Sequence, residues 1–375
     1  MQVRFPRTSS SVLLLCAGLC LAGCGKFFVK NSGGSTPTGS GNYFYVANTN
    51  ALTVAGFSVG SSNLAGTLNS PYGLGLSPSA MTITPNGSFI YIATLAGAIY
   101  GYSVGTDGSL SLMNNGNALI TGVSPITLKV DPSGQWLVAV DLTPAAYVFA
   151  INTSTGVLTQ QGKPVVLDPG SPNHMTFTPD NSLLYVSLGT GGVDICTFNS
   201  STGDLTKSNQ ILIPKATANA DQGLVVDPSG KFLFVAETGA GGVRVLSIAS
   251  TGALTEVSGS PFATGLGPSG VMVDSTGSYV YVTNRTDGTI SAFTLSSAGA
   301  LSKISGSPFS TGSGPTDLVE DTAAAHIGVA CAGGSPDFQV FTIGSATSTA
   351  PGALTSFATS SSSSPTGAFA VVAAD

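Results

Sequence analysis

Apolar and polar positions along this chain recur with a long period. A turn is followed by a short apolar run at Pro85-Asn86-Gly87-Ser88-Phe89-Ile90-Tyr91-Ile92, and again at Pro132-Ser133-Gly134-Gln135-Trp136-Leu137-Val138-Ala139. The same signature follows Pro179-Asp180-Asn181, Pro228-Ser229-Gly230 and Ser275-Thr276-Gly277, at intervals of 47, 47, 49 and 47 residues. A second marker is a leucine beyond a Gly or polar turn. It falls at Leu64, Leu110, Leu158, Leu205, Leu254, Leu301 and Leu354, seven occurrences spaced by 46 to 53 residues. Two independent markers that share one period identify a repeat protein.

Each unit holds four strand candidates, rich in β-branched and aromatic residues and separated by Gly, Asp and Ser turns. In the sixth unit they are Ser269–Asp274, Ser278–Asn284, Thr289–Leu295 and Ala300–Ile304. No segment carries a sustained helical apolar stripe. Four short strands per repeat of this length make a propeller blade. The expected fold class is therefore all-β, a seven-bladed β-propeller with four-stranded blades. Tyr43 begins at what is the second strand of every other unit. The missing first strand is expected at Pro365–Val372, so that the C-terminal strand completes blade 1 and closes the ring. Closure also protects edges that would otherwise stay open.

The N-terminus follows a different rule. Arg4 and Arg7 precede an apolar stretch, Ser11 to Leu21, which ends in Leu21-Ala22-Gly23-Cys24. The stretch is too short to span a bilayer and reads as a signal peptide. The small residues before Cys24 resemble a bacterial lipobox, which implies lipidation of Cys24. The expected organisation is a signal peptide over 1–23, a lipidated cysteine and flexible linker over 24–42, and the propeller over 43–375. Gly25 after the lipobox, by resemblance to lipoprotein sorting signals, implies the outer membrane. The linker is rich in Ser, Thr, Gly and Pro after Asn31.

Composition narrows the partners. The chain has 12 basic and 18 acidic residues, and only 8% of it is charged. With no basic run, nucleic acid is excluded as a partner. Five cysteines are present. Cys16 and Cys20 lie in the signal and Cys24 is the anchor. Cys196 and Cys331 fall on different strands of different blades, too far apart for a disulfide. Two histidines and no cysteine cluster give no zinc site. No Gly-x-Ser-x-Gly elbow or Walker loop is present. No cofactor, no metal and a monomeric state are expected.

Repeat alignment also lists candidate site residues. The first strand of a blade lines the central channel, and the end of the second strand returns to the same mouth. Six positions before each turn stand Ser79, Ile126, Asn173, Gln222, Ser269 and Thr316, with Thr366 in the closing strand. At the ends of the second strands stand Asn48, Thr94, Asp141, Leu188, Glu237, Asn284 and Cys331. His174 and Arg285 each lie one residue beyond a position of these sets. The expected ligand-binding set is Asn173, Gln222, Asp141, Asn284 and Asn48, and the expected chemical set is His174, Glu237 and Arg285.

The run Tyr281-Val282-Thr283-Asn284-Arg285 contains the Tyr-Val-Thr-Asn signature of YVTN-type propeller repeats. With Ile290-Ser291-Ala292-Phe293 it resembles the lactonase-like propellers, namely bacterial 6-phosphogluconolactonases and muconate-cycloisomerase-like proteins. That resemblance implies a His, two Arg and a Glu at the channel mouth, which bind or turn over a lactone or carboxylate. His174, Arg285 and Glu237 match three of these positions, and Gln222 replaces the second arginine. Arg285 would hold an anionic or carbonyl oxygen, and Glu237 or His174 would activate water. Two functions stay open. One is an exported, membrane-anchored platform that binds a partner protein or a carbohydrate. The other is a hydrolase that opens a small lactone. Export argues against a cytosolic phosphosugar substrate.

Overall fold

A computed structural model describes residues 41–212, 221–239, 241–359 and 367–374. The signal, the lipobox with Cys24 and the linker to residue 40 lie outside the described residues, as do Pro365 and Thr366. Thirty-two strands form seven antiparallel sheets, and no α-helix occurs among the described residues. No helix there is long and apolar enough to cross a membrane.

Each sheet is one blade. In blade 6 the strands are Pro268–Val273, Tyr279–Asn284, Thr289–Leu295 and Leu301–Lys303, in that order from the channel outward. They match the sequence expectation to within two residues at each end. The second strands Phe89–Thr94, Trp136–Asp141 and Phe232–Glu237 are buried at every position. Both of their faces are covered by neighbouring blades, which explains why they read as continuous apolar runs. Seven apolar cores result, one between each adjacent pair of blades.

Two side-chain devices repeat with the blades. In the turn between first and second strands, a buried aspartate collects backbone donors. Asp131 Oδ1 accepts from the amides of Gln135 and Trp136 at 2.9 and 2.7 Å. Asp227, Asp274 and Asp321 repeat the pattern. Thr84 and Thr178 do a lighter version with their hydroxyls. The second device joins blades. The hydroxyls of Tyr45, Tyr91, Tyr185 and Tyr281 donate to the carbonyls of Gly108, Gly156, Gly252 and Gly352, at 2.8, 2.8, 3.2 and 2.8 Å. Each glycine sits in the outer turn of the next blade at positive φ, a conformation that glycine adopts without steric cost. In blade 3, Trp136 Nε1 donates to the carbonyl of Ser200 in its place.

Blade 1 is closed by both ends of the chain. Ala368–Ala374 pairs antiparallel with Tyr43–Asn48, with Tyr43 opposite Ala374 and Val46 opposite Val371. Closure by the C-terminal strand is as expected, but the pairing runs further toward the end than Pro365–Val372. By its register Phe369, rather than Thr366, occupies the mouth position equivalent to Ser269. The offset has a simple cause. The other blades are counted from the turn that follows the first strand, and the closing strand has no such turn.

Candidate functional site

A cavity of about 690 Å³ runs through the centre, lined by the innermost strands of all seven blades. These strands have no sheet partner on the channel side, so their edge groups need other partners. Six of the seven carry a register shift near the mouth. A bulge of this kind re-aims the residue it displaces. Ser79, Ser269 and Thr316 sit there and use their hydroxyls to stitch neighbouring strands together. They donate to the carbonyls of Pro125, Pro315 and Phe369 at 2.6, 2.9 and 3.0 Å. In blade 4 the hydroxyl of Ser187 donates to the Gln222 carbonyl at 2.8 Å and does the same work.

Five ionisable side chains line the cavity among the described residues, Lys129, His174, Arg285, Asp317 and Glu320, and Glu320 accepts from the Ser275 amide at 2.7 Å. His174 begins the innermost strand of blade 4, its amide donating to Ser187 Oγ at 3.0 Å. Its Nδ1 is buried and has no hydrogen-bond partner. Burial, and then the charge of Lys129, push the imidazole down to about 4, against a backbone hydrogen bond at Leu224. His174 is therefore neutral at physiological pH. Lys129 lies mid-strand in blade 3 and is lowered by burial, while Asp317 pulls it back up. Among the described residues no carboxylate comes within ion-pair distance of it. Asp317, in blade 7, is pushed up to about 6 by burial, although its oxygens accept from the amides of Val371 and Leu318 and it faces Lys129. Arg285 stands exposed just past the second strand of blade 6 and also lines the cavity. Its amide donates to Gly267 at 2.7 Å.

The residues expected at the mouth divide sharply. His174, Arg285, Asn173 and Gln222 line one cavity. Glu237, Asp141, Asn284 and Asn48 are not among its lining residues. Glu237, expected to activate water, is fully buried and receives a hydrogen bond from Arg244 Nη1 at 3.0 Å. Arg244 in turn lies 3.8 Å from Glu256. Asp141 is folded into its own turn, accepting from the amides of Thr143 and Ala145 and from Tyr147. Burial raises its pKa, but these hydrogen bonds outweigh it and hold the carboxyl below the usual range. Asn284 donates to Thr289 and Ser291 and accepts from Gly265. Asn48 donates to the Val46 carbonyl at 3.0 Å. The common reason is geometric. The last residue of a second strand lies between two strands and turns into the blade. The residue after it swings over the mouth, as Arg285 does.

Lys129 and Asp317 lie inside the first strands, which counting of strand ends at the mouth does not reach. A signal existed. Lys129 is one of only 12 basic residues, and it interrupts Ile126-Thr127-Leu128-Lys129-Val130, a run otherwise without charge. Cys196 and Cys331 are free, buried thiols in separate cores, each pushed up to about 12 by burial. No group of three or more His, Cys, Asp or Glu side chains that would hold a metal occurs among the described residues.

Solved structures share this architecture at low identity. A protein of Bacteroides fragilis, provisionally assigned as a 6-phosphogluconolactonase, aligns with a TM-score of 0.73 and 18% identity over 91% of this chain and 100% of that one. A periplasmic gluconolactonase of Pseudomonas aeruginosa aligns with a TM-score of 0.67 and 16% identity, over 90% and 99%. A protein of Lactobacillus plantarum gives 0.69 and 19%, over 89% and 99%. At these identities the likeness establishes the fold. No curated protein matches by sequence. The pattern of one family, described as "Lactonase, 7-bladed beta-propeller", matches over residues 39–171, 144–269 and 174–362, so with its seven blades, its closing strand and this central cavity the chain belongs to the lactonase family of seven-bladed β-propellers.

Proposed function

We propose that this protein is an exported, lipid-anchored propeller that binds a small lactone or sugar acid in its central channel. The observation that carries this reading is the convergence of Lys129, His174, Arg285 and Asp317 on one cavity of about 690 Å³. That volume falls within the range of small-molecule sites. Lys129 offers an ammonium without a carboxylate partner, deep in the wall, and Arg285 offers a planar donor fork at the rim. Together they supply the two cations that a carboxylate or polarised carbonyl needs, with Lys129 standing in for the arginine that Gln222 replaces. The export signal and Cys24 support a site in the cell envelope, where the ligand is environmental or periplasmic.

Hydrolysis of the lactone is the second reading, and Asp317 favours it. A carboxyl poised near 6 is ionised at neutral pH and basic enough to take a proton from water. Lys129 or Arg285 would polarise the carbonyl, and neutral His174 would accept a hydrogen bond at its unpartnered Nδ1. The general base of this reading is thus Asp317 rather than Glu237.

Calorimetric titration of the full chain with gluconate and glucono-δ-lactone tests the binding claim. A charge-assisted hydrogen bond contributes about 1.5–3 kcal/mol, so Lys129→Met should weaken gluconate binding by roughly ten- to a hundredfold. Unchanged affinity in that variant, or no binding by the wild type, overturns the reading. If the lactone is also opened, the rate should rise with pH through about 6 and vanish in Asp317→Asn.

A further inference from the structure

The mouth of the channel is chemically two-sided. At the mouth position of the innermost strands, blades 4 to 7 present Asn173, Gln222, Ser269 and Thr316, whereas blades 1 and 3 present Phe369 and Ile126. In blade 2, Ser79 is polar as well, and like Ser269 and Thr316 it spends its hydroxyl on a neighbouring carbonyl, that of Pro125. At the next position outward, blade 6 differs from blades 2 and 3. In blade 6 the residue just past the second strand is Arg285, which lines the cavity. The equivalents in blades 2 and 3 are Leu95 and Leu142, each 64% exposed.

Along blade 3 the apolar surface continues outward. Val166, 71% exposed, pairs with Ala145 at the start of the third strand and so lies on the same end of the blade as Leu142. Ile126, Leu142 and Val166 thus mark a radial path from the channel to the outer strand. Three strand spacings of about 4.8 Å give it a length of about 14 Å. Exposed leucines scattered singly need no explanation. Here two occupy equivalent repeat positions on adjacent blades, beside Ile126 of the cavity wall and across the mouth from Arg285. The remaining exposed leucine of this end, Leu266, stands alone on the polar side, its amide held by Asp287.

We infer that the ligand is amphiphilic, a lactone or carboxylate that carries an alkyl chain. Its oxygen-bearing head sits in the channel under Arg285, above Lys129 and His174. Its chain leaves across the rim of blades 2 and 3, over Leu95 and Leu142 toward Val166. A bare sugar lactone would leave these leucines in water, while an alkyl chain laid on them removes apolar surface of both partners from water. This inference rests on the proposal that the channel is a small-molecule site, and it names the chemical class that site accepts.

The test compares two ligands with the same ring, δ-valerolactone and δ-dodecalactone, on the full chain by calorimetric titration. The wild type should bind the long-chain lactone at least about tenfold more tightly, as expected from partial burial of two leucines. In the double variant Leu95→Ser, Leu142→Ser that preference should fall below about threefold, with δ-valerolactone affinity unchanged. Both sites are exposed, so the substitutions leave the cores intact. Equal binding of the two lactones by the wild type overturns the inference but leaves the channel reading standing. Retention of the preference in the double variant does the same. Failure of both lactones to bind overturns the inference, and the channel reading falls with it only if gluconate and glucono-δ-lactone also fail to bind. A change in sedimentation of the double variant, with no change in lactone preference, would assign the leucines to a second copy of the chain and also overturn it.

Discussion

His174 and Asp317 face the same channel, and burial moves them in opposite directions. His174 titrates near 4 when folded, below its ordinary 6.5, so the folded state binds fewer protons than the unfolded chain between those values. Its contribution to stability is present above 6.5 and is lost as pH falls toward 4. Asp317 titrates near 6, above its ordinary 3.8. Its protonated form is favoured by the fold, so that contribution is present at low pH and is lost as pH rises from about 4 to 6. The two largely offset each other in the wild type. Asp317→Asn should therefore make the thermal midpoint climb more steeply between pH 4 and 6.5, and His174→Asn should tilt the profile the other way. Parallel profiles for the three proteins, measured by thermal unfolding across that window, would contradict this account. At this scale the sequence is only half legible. Repeat counting brought His174, Arg285, Asn173 and Gln222 to one cavity, because it tracks which strand end faces the mouth. It misplaced Glu237, Asp141, Asn284 and Asn48, because counting does not say whether a strand's last residue turns into the blade or over the channel.

Four of the seven blades are joined to the next by the tyrosine of the second strand, and blade 3 by Trp136. Tyr281 is fully buried and its hydroxyl reaches Gly352, 71 residues away. Tyr281→Phe removes the donor and leaves a carbonyl without its partner in the interior. The expected loss is about 1–2 kcal/mol, read as a lower urea midpoint with unchanged slope. Tyr43→Phe is a useful contrast, since its hydroxyl makes only a 3.4 Å contact with the Thr106 carbonyl, and its effect should be smaller. The strands of each blade were readable from turn residues and β-branched runs, and those of blade 6 agree with the structure closely. The latches were not. Their donors repeat visibly along the chain, but their acceptors are backbone carbonyls, which no residue type announces. The closing strand was readable by subtraction alone, so its register slipped where no turn followed to anchor it.

At the scale of the whole molecule, the seven cores lie between blades and not within them. A single blade therefore has no interior of its own, and its second strand would expose both faces if its neighbours were removed. Anchoring belongs to this scale too. The proposed lipidation of Cys24 predicts that Cys24→Ala shifts the protein from the membrane pellet to the soluble fraction after cell lysis, without altering its far-ultraviolet circular dichroism. Recovery of the variant in the pellet, still released only by detergent, would argue against the lipid anchor. The count of blades was fully legible, because a period repeated seven times leaves little room for another architecture. Ring closure has a further consequence. Tyr43 and Ala374 are cross-strand partners, so the two ends of the folded chain are neighbours on adjacent strands. In topological terms the propeller is a circle cut once, inside a hairpin of blade 1. Nothing in the cores or latches distinguishes that hairpin from its counterparts, and the order of the blades around the axis would be the same wherever the cut were made.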